Sequence, residues 1–231
     1  IFRGKGKVNF TPGRLEKVYP QWWGAKGDGK SDDTLAIQGA IDSLPAGIVF
    51  FAPGTYANKG VTVKSNITIK GAGPGTSTLK FTPPTGSCIT LPTDCASFRV
   101  EDISLGAVSH TAGYGIDGTN EYVRYFSMHN FIMTGFKCGV YIQAGMQISL
   151  DYGYIGCYGL GAANGTISLK LGDKALNKGC TTATIQDLYL TNAEIDFYNR
   201  AAPCVMIRPI FETCQIGLDN YARATIIGPF F

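Results

Sequence analysis

The rhythm of apolar and polar residues changes once along this chain. Between residues 33 and 44 the apolar positions Leu35, Ile37, Ala40, Ile41 and Leu44 recur at helical spacing. Ser31-Asp32-Asp33-Thr34 sits just ahead of them, with capping side chains and carboxylates where the helix dipole favours them. Pro45 and Gly47 follow as a stop, so the spacing predicts one helix over 33–44. From residue 48 onward the pattern becomes short β-branched and aromatic runs broken by Gly, Asn, Asp or Pro. These runs predict strands at 48–51, 61–63, 67–70, 98–105, 122–133, 140–142, 147–150, 167–171, 184–190, 205–211 and 225–231.

A repeat indicates what the strands build. An apolar-x-x-apolar (or small) tetrad begins at Ile69, Val100, Met128, Leu150, Ile185, Ile207 and Ile227, in steps of 20 to 35 residues. Strand repeats of that period make a solenoid or a propeller. A propeller blade needs ~40–45 residues, too many for the shortest steps. Solenoid coils tolerate longer steps, because extra residues leave from loops. The prediction is an all-β fold, a single-stranded parallel β-helix with an N-terminal capping α-helix. In each tetrad the first and fourth residues face the core, the second faces outward and the third turns the corner. That third column reads Gly71, Asp102, Asn130, Tyr152, Asp187, Pro209 and Pro229, mostly residues that tolerate a sharp bend. Tyr152 fits it poorly and suggests a shifted register.

Composition narrows the function classes. The chain has 231 residues, a formal charge of +3 and only 16% charged residues, which gives no basis for a nucleic-acid binder. No apolar run approaches a membrane span, and no secretory leader opens the sequence. Seven cysteines without paired spacing and two histidines do not make a zinc site, so neither metal nor cofactor is expected, and the thiols read as reduced core residues. The first residue is Ile1 and the last are Pro229-Phe230-Phe231 in an apolar segment, which reads as a piece of a longer protein.

The run Trp23-Gly24-Ala25-Lys26-Gly27-Asp28-Gly29-Lys30-Ser31-Asp32-Asp33-Thr34, with Ile37-Gln38 and Ala40-Ile41 behind it, resembles the opening motif of pectate-lyase-like right-handed β-helix proteins. The likeness is strongest to bacteriophage tailspikes and capsule depolymerases. Val49-Phe50-Phe51-Ala52-Pro53-Gly54-Thr55-Tyr56 and Ser65–Gly73 match the next steps of that family, and Val18–Trp23 is similar to the neck before tailspike β-helices. The resemblance implies an extended neck over 1–22, the opening motif and capping helix over 23–47, and a right-handed β-helix over 48–231. It also implies a homotrimer on a phage virion, attached to tail or baseplate proteins, made in the host cytoplasm and acting on a bacterial surface polysaccharide such as capsule or O-antigen. Neither the polygalacturonase motifs nor a calcium-ligand cluster of the pectate lyases is present.

Glycoside hydrolysis needs two carboxyl groups about 5–10 Å apart, and neighbouring coils of a β-helix lie ~4.8 Å apart. Outward acids on nearby coils therefore become candidates. Glu194 and Asp196 alternate along one run and Glu212 follows one coil later, making a leading trio; Asp151 and Glu101 are two coils apart in the outward column. Tyr152, Tyr154, Tyr158, Tyr189, Phe197 and Tyr198 offer ring faces to a sugar, and Arg208 a fork for a carboxylate. Asp28, Asp32 and Asp33 read as turn and cap acids, and His129 as an outward hydrogen-bonding residue. The expected activity is polysaccharide depolymerisation by hydrolysis, with elimination as the lesser option. The alternatives are a non-catalytic trimeric adhesin, or a structural part of a tailspike whose active site lies elsewhere.

Overall fold

A computed structural model describes residues 8–11, 15–109, 113–157 and 165–228. Eighteen strands join one continuous sheet, and the pairings between them are parallel. The chain winds as a β-helix: each turn lays its strands on those of the turn before. One column shows the winding. Val18, Val49, Ile69, Val100, Met128, Leu150, Ile185, Met206 and Ile226 stand in register, and the first eight are buried. No coil could bury that column alone; stacking removes it from water.

Each turn of the chain makes one-residue corners. Asp102, Asn130, Tyr152, Asp187 and Arg208 form one corner with φ between 48° and 54°. Asn66, Ser97, Tyr125, Gln147 and Thr182 form the other, with φ from 54° to 64°. Tyr152 thus occupies its corner with no slip, since Leu150 pairs with Ile185 and Gly153 with Leu188. The last two tetrads differ from the sequence reading by one residue. Met206 aligns with Ile185 and Ile226 with Met206, so Arg208 and Gly228 turn the corner, not Pro209 or Pro229. Adjacent apolar residues (Met206-Ile207, Ile226-Ile227) hid that slip; Pro229 lies outside the described residues. Gly71 is required for closeness instead, because a Cβ there would lie 2.3 Å from the Asp102 carbonyl oxygen.

The ladder starts earlier than residue 48. Lys17–Val18 pairs with Ile48 and Val49, and Asp28–Asp32 pairs with Thr55 and Ala57, so parts of the expected neck and opening motif are strands. Residues 1–7 and 12–14 of that neck lie outside the described set. The helix runs Thr34–Ser43 and buries Ala36, Ile37, Ala40 and Ile41 against the first coils. Gln38 closes the neighbouring strand end, its amide bonding both the N–H and the carbonyl of Thr62 at 2.9 Å. The three acids of the opening motif divide the labour. Asp28 accepts from the N–H groups of Lys30 and Ser31, and Asp32 from Thr34 at the helix start. Asp33, 2% exposed, accepts from Lys26 at 2.8 Å and Gly27 at 3.0 Å. Hydrogen bonds from Ser31 and Lys30 hold the Asp28 carboxyl down to about 2, and those from Thr34 and Lys59 do the same for Asp32.

The strands Gly54–Asn58, Ser77–Phe81, Ser87–Thr90, Ile195–Asn199 and Ile216–Asn220 are additional to those read from sequence. Six of the seven cysteines are buried free thiols, and Cys214 is half-buried. Asp196 is also inside. It is 0% exposed, its Oδ1 receives the Ser168 hydroxyl at 3.4 Å, and its Oδ2 has no close hydrogen-bond partner among the described residues. The expected shared outward face of Glu194 and Asp196 therefore does not exist. Burial raises the Asp196 carboxyl to about 6, against the opposing pull of the Cys214 thiol and Ser168.

Two stability outcomes follow from these acids. Asp33→Ala leaves the Lys26 and Gly27 N–H groups without an acceptor and should cost about 1–3 kcal/mol, read as a lower urea midpoint. The raised Asp196 carboxyl takes up a proton in the folded state as pH falls through about 6, before it does so unfolded. Its contribution to stability therefore increases as pH falls from about 7 towards 4. Unfolding midpoints across that range should rise in the native chain, and Asp196→Asn should flatten the rise and stabilise the protein at pH 7.5.

Candidate functional site

The sheet bordered by the longer loops carries an outward column of mixed rings and charges. Asp117, Tyr141, Lys170, Tyr198 and Asp219 stand in register on five successive coils. Parallel stacking puts them one strand spacing apart, so Lys170 lies between two rings. Its Nζ is 4.3 Å from the centre of the Tyr141 ring and 5.4 Å from that of Tyr198. Tyr114 extends the stack at one end, 5.7 Å from Tyr141, and Tyr221 at the other, 5.4 Å from Tyr198. Lys174 caps it, with Nζ 4.3 Å from the Tyr221 ring centre. Cations over ring faces are attracted by the ring quadrupole, which holds these side chains in one continuous surface.

Asp173 fastens the middle of the stack. Its Oδ2 accepts from the Tyr141 hydroxyl and from Lys170 Nζ, both at 2.7 Å, while Oδ1 accepts from the Ala175 N–H at 2.9 Å. Partial burial acts to raise this carboxyl, but the Lys170 and Tyr141 hydrogen bonds outweigh it and hold it at about 2. Burial and the Asp173 carboxylate together push the Tyr141 phenol well above its usual range, so it stays a proton donor. Arg200 pins the same loop through the Asp173 carbonyl at 3.1 Å. Beside the stack opens a recess of 240 Å³ lined by Gly113, Tyr114, Lys137, Cys138, Tyr141, Gly165, Ile167 and Lys170. Lys137 is exposed and makes no ion pair among the described residues. Glu194 belongs to this neighbourhood, because its Oε2 accepts from the Gly165 N–H at 2.7 Å on the recess wall.

The other expected residues stand elsewhere. Glu101 binds Lys70 at 2.9 Å, and Asp151 binds His129 Nδ1 at 2.6 Å. They keep the two-coil separation read from sequence, through Glu101–His129–Asp151, with each carboxylate engaged. On the adjoining sheet Ile132, Tyr154, Tyr189 and Ile210 form an outward column. Tyr154 and Tyr189 stack at 5.3 Å, and the Tyr189 hydroxyl donates to exposed Glu212. Arg208 sits at the corner, not in the outward column, and holds Asp187 by two bonds of 2.6 Å. Phe197 is a core residue at 0% exposure, so it offers no ring face to a sugar, and Asp196 is walled off with it. Tyr158 lies outside the described residues. Of the expected site residues that are described, only Glu194 and Tyr198 reach the ring-and-cation face. Tyr141, Lys170 and Asp173 were missed, although Tyr141, Lys170 and Tyr198 recur 29 and 28 residues apart, a coil-length interval in plain view.

Comparison with known proteins bears on the scaffold. Residues 21–94 match the family described as "Rhamnogalacturonase A/epimerase, pectate lyase-like". Mannuronan C5-epimerase AlgE3 of Azotobacter vinelandii is 44% identical over 70 residues, which is 26% of this chain and 4% of that epimerase. The gp42 tailspike of Acinetobacter phage vb_AbaP_AS12 superposes with a TM-score of 0.72 at 14% identity, over 93% of this chain and 41% of that one. A GH87 α-1,3-glucanase of Streptomyces thermodiastaticus gives 0.72 at 19%, over 97% and 41%. This chain thus spans about two fifths of either structure. A tailspike and a glucanase share the architecture, so the likeness settles the scaffold and leaves the chemistry to the site. The chain is a right-handed parallel β-helix whose first coils, residues 21–94, carry the pectate-lyase-like signature.

Proposed function

We propose that this chain binds a bacterial surface polysaccharide along the Tyr141–Lys170–Tyr198 face, as part of a phage tailspike-type protein that cleaves the polymer. The observation that carries this reading is the continuous stack of rings and cations beside an open recess. The half-buried Tyr198 and exposed Tyr221 rings give apolar faces to pyranoses, and the lysines give hydrogen-bond donors. Tyr141, 5% exposed and with its hydroxyl held by Asp173, supports the face from beneath. Its length, five coils at ~4.8 Å each, suits a polymer better than a single sugar. Five cations (Lys137, Lys170, Lys174, Lys178, Arg200) against four acids (Asp117, Asp173, Glu194, Asp219) leave a small positive excess, which favours a polymer that bears negative charge. The tailspike, glucanase and epimerase likenesses support polysaccharide as the ligand class.

For the cleavage step we assign Glu194 and Asp173, carboxylates that each accept a hydrogen bond from a residue of the recess wall, Gly165 and Tyr141 respectively. Asp173 is held ionised and suits the base or nucleophile, and Glu194 the acid. The homotrimer, the virion location and attachment to tail or baseplate proteins belong to the same proposal. A non-catalytic receptor-binding module is the second reading, favoured by Asp173 being tied up by Lys170, Tyr141 and the Ala175 N–H as a loop fastener.

The test uses a panel of bacterial capsules and O-antigens incubated with the protein, read for retention on immobilised polymer and for new reducing ends or unsaturated sugars. Lys170→Met with Tyr198→Ala should weaken retention at least ten-fold. Asp173→Asn and Glu194→Gln should each lower cleavage ~100-fold or more while retention persists. Retention without any cleavage by the native protein selects the binding module. Full retention by the double variant removes the proposed face.

A further inference from the structure

The corner that follows the core column carries polar groups that the reading above does not use. Within it, Asp102, Asn130 and Asp187 are residue types that take a left-handed backbone at modest cost. Tyr152 at φ 50° and Arg208 at φ 48° are not, and a bulky side chain there holds strain. Strain alone does not single out this corner, because Tyr125, Gln147 and Thr182 adopt the same backbone in the other one. What distinguishes it is the chemistry its side chains present.

Tyr152 is 54% exposed, with its ring set edge-on to His129 at 5.7 Å. His129 uses Nδ1 on Asp151, which leaves Nε2 with no partner among the described residues. One coil after Tyr152 comes Asp187, and one coil later Arg208, whose Nε and one terminal nitrogen are fixed on Asp187. The other terminal nitrogen of Arg208 is unpartnered among the described residues, and the fork holds it pointing from a planar, pre-oriented group. Next to it lies an open recess of 460 Å³ lined by Asp187, Tyr189, Arg208, Ile210 and Gly228. No net positive charge gathers here: Arg208 is offset by Asp187, and His129 is hydrogen-bonded to the Asp151 carboxylate.

We infer that this ridge, from His129 and Tyr152 to Arg208, is a second saccharide-binding site, and that its ligand is a neutral hexopyranose. A row of fixed donors and acceptors with no excess positive charge matches the paired hydroxyls of an uncharged sugar, whereas a carboxylate would find no cation to spare. The Tyr152 ring supplies the apolar face, and the free guanidinium nitrogen and the Asp187 oxygens supply the polar contacts. The site stands on different elements from the Tyr141–Lys170 face and does not need that face to bind.

The experiment is saturation-transfer NMR with the methyl glycosides of glucose, galactose and mannose as probes and oligogalacturonate as the charged comparison. It is run on the native chain and on the Lys170→Met/Tyr198→Ala variant. At least one neutral glycoside should bind both proteins equally, unaffected by 0.5 M salt. Tyr152→Gly and Arg208→Lys should each reduce that signal at least five-fold. Tyr152→Gly should do so without lowering the unfolding midpoint, since glycine suits the positive φ. Signals that survive both ridge variants overturn the inference, as does neutral-sugar binding lost with Lys170→Met/Tyr198→Ala. Ridge variants that change the sedimentation coefficient and leave sugar signals intact also overturn it, and make the ridge a contact between copies. Loss of acidic-polymer retention alone counts against the other face only.

Discussion

A coil of this protein has no second layer to bury its apolar residues against; it has only the coil before and the coil after. Register between successive coils is therefore the constraint on which the rest depends. It places Val100, Met128, Leu150 and Ile185 in one dry column. By the same pairing it sets Tyr141, Lys170 and Tyr198 in one outward column a few ångströms apart. Core packing and surface chemistry are two sides of one alignment: a slip of one residue would expose the first column and scatter the second.

The N-terminal end shows how local chemistry starts that alignment. Asp33 fastens the Lys26–Gly27 turn, and Gln38 satisfies the end of a neighbouring strand. The helix thus covers the first core residues and also supplies hydrogen bonds that an open coil would leave to water. The acids of the opening motif are structural for this reason, although three carboxylates within six residues invite a catalytic reading.

Much of the architecture was legible in the sequence because the tetrad repeat and the corner residues report coil geometry directly. The helix at residues 33–44 proved to be Thr34–Ser43, and the repeat starting at Ile69 follows the observed register up to Ile185. The site was less legible for two physical reasons. Strict inside–outside alternation places Asp196 outside, but in the strand Ile195–Asn199 the adjacent Asp196 and Phe197 are both buried. The ring-and-cation face, in turn, is assembled from residues nearly thirty apart that share no local pattern. Only the pairing of strands reveals Lys170 between Tyr141 and Tyr198, and Asp173 reaches them from a loop.

The one-residue corners have an evolutionary corollary. Asp102, Asn130 and Asp187 each reverse the side-chain sense of the backbone within a single position, so a corner has no slack to absorb an insertion. One added residue there would invert the facing of every side chain up to the next loop. The connection after Ile167–Leu171, by contrast, leaves the ladder until Cys180 and can lengthen or shorten with the strands undisturbed. Variation in length is thereby channelled to the rim of the Tyr141–Lys170 face. A lineage under pressure to meet changing partners could remodel that rim repeatedly, while the barrel of coils beneath it stayed the same.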